Sequence, residues 1–167
     1  MLTLIGGGAR SGKSTAALLR GKNHIARGGR TLFIATAENS DEEMNARIIN
    51  HQNERGDGFD LVEESLHIEQ ALREFPENEL AIVDCLTLWL SNNMMRESAI
   101  DINRVIEAAR LRKGSTIFVT NETGEGIVPM HPVSRKFRDL SGHMNQDFAR
   151  LCDEVIFMQF GIETSLK

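Results

Sequence analysis

The sequence lacks tyrosine altogether, and its 167 residues include only three prolines and one tryptophan. A net charge of −5 means that it also lacks the basic excess of general nucleic-acid binders. Without tyrosine, little aromatic surface is left for stacking along a strand of bases. We therefore expect no nucleic-acid partner.

Long apolar runs are missing as well. No run approaches the roughly 20 apolar residues that cross a membrane, and no charged-then-apolar leader opens the chain, so we expect no stable membrane insertion. The two cysteines, Cys85 and Cys152, show no metal-ligand spacing and are expected to be reduced core residues. These absences together favour a cytoplasmic protein.

Apolar residues make up 41% of the chain, enough for the core of one domain spanning residues 1–167. Short strand-like runs alternate with stretches of helical pattern. The predicted strands are Leu2–Ile5, Thr31–Thr36, Phe59–Val62, Leu80–Val83, Thr116–Thr120 and, as the last element, Val155–Phe160. The predicted helices are Ser14–Ala26, about a dozen residues capped at Ser40 and broken at Gly56, Ile68–Phe75, Leu86–Arg96, Ile100–Arg112 and Pro132–Leu151. Apolar strands separated by helices indicate a mostly parallel sheet covered on both faces.

A glycine-rich stretch follows the first predicted strand. Gly7–Ser14 (GGARSGKS) matches the pattern G-x-x-x-x-G-K-[ST] in full and precedes a predicted helix. Glycines let several backbone N–H groups point at one phosphate, and the helix N-terminus adds about half a positive charge. We expect Lys13 to reach the β- and γ-phosphates and Ser14 to bind Mg²⁺. A chance glycine-rich turn is the alternative, and the strand–loop–helix context argues against it.

Asp84 follows directly after the apolar strand Leu80–Val83. An acid at the carboxyl end of such a strand suits a second contact to Mg²⁺, often through water, although it would also suit a cap on the next helix. Together with the strand pattern, these residues predict a three-layer α/β P-loop NTPase (RecA-like) domain with a mostly parallel central sheet.

His51 lies on the helix predicted after Ser40, with Arg47 one turn before it and Arg55 one turn after it. Neighbouring cations disfavour the imidazolium, and a neutral imidazole beside cationic groups is a plausible nucleophile toward a nucleotide phosphate. From spacing alone, an ordinary surface or packing histidine is the more common case.

Five segments in order along the chain resemble the bifunctional adenosylcobinamide kinase/adenosylcobinamide-phosphate guanylyltransferase family of cobalamin synthesis. They are Gly6–Ser14 (GGGARSGKS), Ile34–Ala37 (IATA), Asp41–His51 (DEEMNARIINH), Val119–Pro129 (VTNETGEGIVP) and Arg135–Ala149 (RKFRDLSGHMNQDFA). The sequence departs from the family's pattern at two places, which concern substrate contacts or subunit packing. His143 stands where the family often has arginine, and the segment between Asp84 and Thr116 is short for the family.

The resemblance implies two reactions. ATP or GTP phosphorylates the aminopropanol hydroxyl of adenosylcobinamide, and GTP then transfers GMP to that phosphate through a GMP–histidine intermediate, giving adenosylcobinamide-GDP and pyrophosphate. His51 matches the position of that histidine. The resemblance also implies a homo-oligomer, a trimer. The loop Asn121–Pro129 follows a predicted strand, and open parallel sheets bind ligands beyond the carboxyl ends of their strands, so the loop is well placed to meet the corrinoid substrate or a neighbouring subunit. An ordinary flexible loop is the alternative.

The resemblance further implies a set of nucleotide-binding residues, in which Glu63 is a candidate partner for the N1–H and amine of guanine. The set is Gly6, Gly7, Gly8, Ala9, Arg10, Ser11, Gly12, Lys13, Ser14, Ala35, Thr36, Ala37, Gln52, Asn53, Glu54, Arg55, Glu63 and Asp84. Lys13 and His51 are the catalytic candidates, and Ser14 and Asp84 the candidates for Mg²⁺. Two alternatives explain the phosphate loop alone: a different small P-loop kinase, which leaves His51 unused, and a nucleotide-dependent regulatory module.

Overall fold

The strands follow the apolar runs of the sequence. The computed structural model describes residues 1–38, 49, 52–75 and 79–167. Its strands are β1 (Leu2–Gly7), β2 (Thr31–Ala35), β3 (Phe59–Glu63), β4 (Leu80–Asp84), β5 (Thr116–Asn121), β6 (Glu154–Gln159) and β7 (Ile162–Ser165). Strands β1, β2, β4 and β5 are buried along most of their length, as expected of interior strands in a parallel sheet.

The seven strands form one sheet in the order β3-β2-β4-β5-β1-β6-β7. Every neighbouring pair is parallel except β6 and β7. The predicted, mostly parallel sheet is therefore confirmed. Because the carboxyl ends of β1 to β6 share one edge of the sheet, the loops that follow these strands meet there.

The prediction that a strand ending at Phe160 is the last element is wrong. β6 ends at Gln159, and a turn of two residues leads into β7, which runs antiparallel to β6. All four residues of β7 are exposed, and Ile162 is its only large apolar residue. A polar run of only four residues does not predict a strand from sequence. Its strand structure comes from pairing with β6.

Helices cover both faces of the sheet, which confirms the three layers. The helices are α1 (Lys13–Ala26), α2 (Ile68–Glu74), α3 (Leu86–Met95), α4 (Ile102–Leu111) and α5 (Pro132–Leu151). Buried residues of α1 pack with Ile5, Ile82 and Val119 on one face, whereas α2, α3, α4 and α5 contribute to the core cluster on the other. Side chains alternate between the two faces along each strand, so a single strand contributes residues to the core clusters on both faces of the sheet.

The helix predicted after Ser40 falls largely outside the described residues. Residues 49 and 52–55 are helical, and Gly56, with a φ of 68°, follows them where the break was predicted. The predicted cap at Ser40 and the candidate nucleophile His51 both lie outside the described residues.

At Gly21, α1 packs tightly against side chains of the sheet. A Cβ at this position would lie 2.6 Å from Phe59 Cε1 and 3.0 Å from Ile82 Cδ1. Alanine in place of glycine normally stabilises a helix by about 1 kcal/mol, but overpacking a core costs about 1–3 kcal/mol. We therefore expect Gly21→Ala to lower the free energy of unfolding by about 1 kcal/mol, measured by urea denaturation.

Gly142 provides the matched control, because it lies within α5 and nothing lies within 4 Å of the position of its Cβ. Gly142→Ala is expected to raise the free energy of unfolding by about 0.5–1 kcal/mol through helix propensity alone. Equal stabilisation at both positions would contradict the close approach described for Gly21.

Candidate active site

The loop between β1 and α1 is shaped to receive an anion. Arg10 has a φ of 57° and Gly12 a φ of 97°, and both values lie in the left-handed region. The Ser11 N–H donates to Gly8 O at 3.3 Å, and the Ala16 N–H donates to Gly12 O at 2.9 Å, which starts the helix. Since Gly12 has no side chain to cap α1, the first N–H groups of that helix remain available to a phosphate.

Ser11 carries a polar atom that suits a bound phosphate. Its Oγ is buried and has no hydrogen-bond partner among the described residues. A Cβ at Gly7 would lie 2.6 Å from this Oγ and 2.5 Å from Met158 O, so only glycine fits there. A buried hydroxyl without a partner costs free energy, and a phosphate oxygen in the loop would supply the missing partner.

Lys13 points back into the same loop. Its Nζ donates to Gly8 O at 3.0 Å, and only 8% of the residue is exposed. Burial lowers the pKa of Lys13, while the nearby Cys85 and Asp84 act in the opposite direction. Burial also raises the pKa of the Cys85 thiol to about 12, so Asp84 is the anionic neighbour of Lys13 at neutral pH. The buried ammonium gains most from a further anion in the loop.

Asp84 lies where the sequence predicted it, at the carboxyl end of β4, and only β5 separates β4 from β1. Its peptide bond to Cys85 is cis. The Thr36 N–H donates to Asp84 O at 3.1 Å, and the Thr36 hydroxyl both donates to Cys85 O and accepts from the Cys85 N–H, each at 2.8 Å. Thr36 therefore ties the end of β2 to the end of β4, and its buried hydroxyl is already engaged.

An open cleft of about 260 Å³ lies at the carboxyl ends of β2 and β3. It is lined by Ala35, Ala37, Glu38, Glu63, Glu64 and Ser65. Ala35 pairs with Glu63 in the parallel register, which brings two predicted nucleotide residues together. Glu38 was missed by the sequence analysis: Arg96 contacts it at 2.9 Å, Ser65 donates to it, and these bonds lower its pKa. No local sequence signal links Glu38 to an arginine 58 residues away.

The helical residues 52–55 lie against α1 and β2. The guanidinium of Arg55 lies 5.0 Å from the centre of the Phe33 ring, and Lys22 Nζ donates to Glu54 O at 2.8 Å. Gln52, Asn53 and Glu54 are exposed. The structure thus gathers two groups of predicted nucleotide residues, Gly6–Ser14 at the phosphate loop and Ala35, Ala37 and Glu63 at the β2–β3 cleft. Residues 52–55 are not among those that line this cleft.

These two groups are well separated along the edge of the sheet. Four strand intervals lie between β1 and β3. At about 4.8 Å per interval, the phosphate loop and Glu63 are roughly 19 Å apart. A nucleotide with its phosphates in the loop therefore needs most of its length to bring its base to the cleft.

The loop after β5 starts beside the phosphate loop, because the Glu122 N–H donates to Gly7 O at 2.9 Å. Asn145 on α5 fixes this start: its Oδ1 accepts from the Thr120 hydroxyl at 2.7 Å, and its Nδ2 donates to Asn121 O at 3.0 Å. Further on, Ile127 and Met130 are strongly exposed. The loop thus begins beside the phosphate loop and carries exposed apolar side chains further along.

The metal candidates are oxygen donors. Ser14 is in the first turn of α1 and Asp84 ends β4, and hydroxyl and carboxylate oxygens suit Mg²⁺ when nucleotide phosphates and water complete its shell. Within the described ranges, no group of three or more histidine, cysteine or acidic residues forms a metal site on its own.

None of the described helices combines the length and the apolarity needed to cross a bilayer.

A strand–loop–helix that buries a lysine, with an aspartate two strands away, defines a P-loop NTPase domain of the RecA-like class. Solved structures agree on the fold. The flagellar accessory protein FlaH from Methanocaldococcus jannaschii superposes with a TM-score of 0.61 at 13% identity, over 99% of this chain and 77% of FlaH. A second solved structure, an ATPase domain, gives a TM-score of 0.50 at 16% identity, over 93% of this chain and 68% of that one.

Comparison with protein families is more specific. The family model described as cobinamide kinase / cobinamide phosphate guanyltransferase matches residues 3–166, and the chain belongs to this family. The bifunctional adenosylcobalamin biosynthesis protein CobP of Pseudomonas aeruginosa is 38% identical over all of this chain and 98% of its own length. The corresponding CobU proteins of Escherichia coli and Salmonella typhimurium are each 32% identical over the full length of both chains. The resemblance inferred from the five segments is confirmed.

Proposed function

We propose that the protein phosphorylates the aminopropanol hydroxyl of adenosylcobinamide with ATP or GTP and then transfers GMP from GTP to the resulting phosphate. The products are adenosylcobinamide-GDP and pyrophosphate. The observation that carries this proposal is the phosphate loop, in which buried Lys13 and the unpartnered Ser11 hydroxyl both suit a bound anion, in a chain of the cobinamide kinase family.

In the kinase step, positioning and charge stabilisation supply most of the rate. The N–H groups of the loop and of the first turn of α1 hold the phosphates, and Lys13 binds the β- and γ-oxygens. Ser14 and Asp84 would hold Mg²⁺, which neutralises charge on the triphosphate. The corrinoid hydroxyl oxygen forms a bond to the γ-phosphorus, and the hydroxyl proton passes to solvent. The bond from that phosphorus to the β–γ bridging oxygen breaks, and ADP or GDP leaves with that oxygen.

In the guanylyl step, His51 is the nucleophile. An imidazole nitrogen bonds to the α-phosphorus of GTP, the bond from that phosphorus to the α–β bridging oxygen breaks, and pyrophosphate leaves. An oxygen of the corrinoid phosphate then displaces the imidazole, which regenerates His51. The family's motif supports this role, since His51 lies outside the described residues.

The β2–β3 cleft is proposed to receive guanine rather than phosphate. Three carboxylates line it, and they would repel a triphosphate. Glu38 is paired with Arg96, and Glu64 accepts the N–H groups of Leu66 and His67 at 2.8 Å each. The Glu63 carboxylate lines this cleft, and its oxygens would accept the N1–H and amine of guanine.

The exposed part of the loop after β5, including Ile127 and Met130, is proposed to contact the corrinoid or a neighbouring subunit. Family resemblance supports a trimeric assembly. Light scattering of the purified chain tests the number of subunits.

Product labelling tests the two reactions together. The protein is incubated with adenosylcobinamide, Mg²⁺ and GTP labelled at either the α- or the γ-phosphate, and the corrinoids are separated by chromatography. We expect the γ-label in both adenosylcobinamide phosphate and adenosylcobinamide-GDP, and the α-label in adenosylcobinamide-GDP alone. Transfer of the γ-label without the α-label would mean that the protein is a kinase and does not transfer GMP. GTP binding without label in any corrinoid would indicate a regulatory module.

A further inference from the structure

The turn between β6 and β7 lies against the phosphate loop. The Gly161 N–H donates to Ser11 O at 3.0 Å. The Cα of Gly161 lies 3.3 Å from the position that a Cβ on Gly12 would occupy. Phe160, the other residue of the turn, is thus held within one residue of the loop that receives phosphate.

Phe160 is an unusual residue for this turn. Gln159 pairs with Ile162, so Phe160 and Gly161 form a two-residue hairpin loop, with φ values of 52° and 77°. Positive φ at both central positions is typical of a type I′ turn, which favours asparagine or glycine and disfavours a bulky side chain. Phe160 also contributes nothing to the core, because 90% of its surface is exposed. A strained, exposed aromatic residue beside a binding loop points to a role in binding.

The hairpin that carries Phe160 is fixed relative to the loop. β6 pairs with β1, the strand that leads into the phosphate loop. The two terminal N–H groups of Arg20 on α1 donate hydrogen bonds to the two carboxylate oxygens of Glu163 on β7, at 2.8 and 2.9 Å. The turn is therefore held in place by β1, the strand before the phosphate loop, and by α1, the helix after it. A turn fixed in this way suits a preorganised contact surface.

We propose that Phe160 is the stacking platform for the purine base of the nucleotide that donates its γ-phosphate in the kinase step. This inference rests on the proposed function. β6 is adjacent to β1, so a base at Phe160 lies on the side of the phosphate loop opposite to β2 and β3. Every purine has a π-face, so ATP and GTP both suit this platform.

The proposal explains how one phosphate loop serves two reactions that break different bonds of the triphosphate. With its base on Phe160, the nucleotide presents its γ-phosphorus to the corrinoid hydroxyl. With its base in the β2–β3 cleft, roughly 19 Å from the loop along the sheet edge, it extends across that edge in the opposite direction. The loop is the shared phosphate site, and the two base sites lie on opposite sides of it.

Phe160→Asn tests the platform without threatening the fold, since asparagine suits a type I′ turn better than phenylalanine. We expect the variant to bind a non-hydrolysable ATP analogue about 5- to 30-fold more weakly by calorimetry, the loss expected for one stacked base. Inorganic tripolyphosphate, which has no base, should bind both proteins equally. Phe160→Trp, which keeps an aromatic face, should bind the analogue within about twofold of the parent.

Ile162→Thr is the matched control, because Ile162 is an exposed apolar residue of the same hairpin but lies outside the turn. It should leave both affinities unchanged. Equal affinity of parent and Phe160→Asn for the ATP analogue would overturn the proposal. So would an equal loss for tripolyphosphate, or a change in molar mass by light scattering, because Phe160 would then shape the loop or a subunit contact. A parent protein that binds no nucleotide would instead contradict the proposed function.

Discussion

Replacing Lys13 by methionine is expected to lower kcat/KM of the kinase step by about 10²–10³-fold, the loss typical of removing one preorganised charge from a transition state. Lys13 is buried, its Nζ lies 3.0 Å from Gly8 O, and it is the side-chain cation proposed to bind the transferred phosphoryl group. Steady-state kinetics with adenosylcobinamide and ATP measure the effect. Lys136→Ala, at an exposed lysine on α5, should change kcat/KM less than twofold.

Unfolding does not explain such a loss, because the charge on Lys13 is costly to the folded protein. Its pKa is lowered below the usual 10.5, chiefly by burial, so the folded state disfavours the ammonium relative to the unfolded state. Methionine fills similar space without that cost. We expect the urea midpoint of Lys13→Met to equal or exceed that of the parent, and a large drop would indicate that Lys13 serves the fold instead.

The same burial predicts proton uptake when nucleotide binds. In the free protein, part of Lys13 loses its proton as the pH rises toward the usual pKa of 10.5, whereas a bound triphosphate favours the ammonium. Binding should therefore take up protons increasingly as the pH rises through the lowered pKa, and none well below it. Calorimetry in buffers of different ionisation enthalpy measures this uptake. Lys13→Met should abolish it, and persistence in the variant would assign the uptake to another group.

Local sequence signals predicted the strand, loop and helix that carry the proposed phosphate site. The glycines, Lys13 and Ser14 occupy one short stretch, so their spacing alone determines a strand, a loop and a helix N-terminus. Asp84 was predicted from the apolar run before it, and β4 ends there in the structure. In both places the local structure depends on residues close in sequence, which is why pattern and spacing were sufficient to predict it.

Contacts between distant residues were not predictable in this way. Gly161 contacts Ser11, far away in the sequence, through a turn before a strand that has no apolar pattern. Glu38 depends on Arg96, which only the packing of α3 brings near the β2–β3 cleft. Thr36 was predicted as a nucleotide contact from family resemblance, and the fold shows its hydroxyl bonded to the backbone of Cys85. Strand order creates these contacts, and a single sequence does not encode strand order locally.

His51→Ala is expected to reduce GMP transfer by about 10⁴-fold or more, since deleting a covalent nucleophile removes the intermediate itself. The intact mass of the parent after incubation with GTP and Mg²⁺ should increase by one GMP, and the increase should disappear in acid, as a phosphoramidate does. The variant should show no such gain. Phosphorylation of adenosylcobinamide should fall far less, because that reaction uses Lys13 and the phosphate loop and has no covalent nucleotide intermediate.

His67→Ala is the matched control for His51→Ala. His67 is an exposed histidine that precedes α2, and the motif assigns it no role in transfer. Its variant should gain the mass of one GMP as the parent does. An adduct that survives in His51→Ala but is lost in His67→Ala would move the nucleophile to His67. GTP bound by the parent without any adduct would mean that GMP passes directly from GTP to the corrinoid phosphate. The two outcomes also differ in stereochemistry, because two successive in-line displacements retain the configuration at the α-phosphorus, whereas a single displacement inverts it.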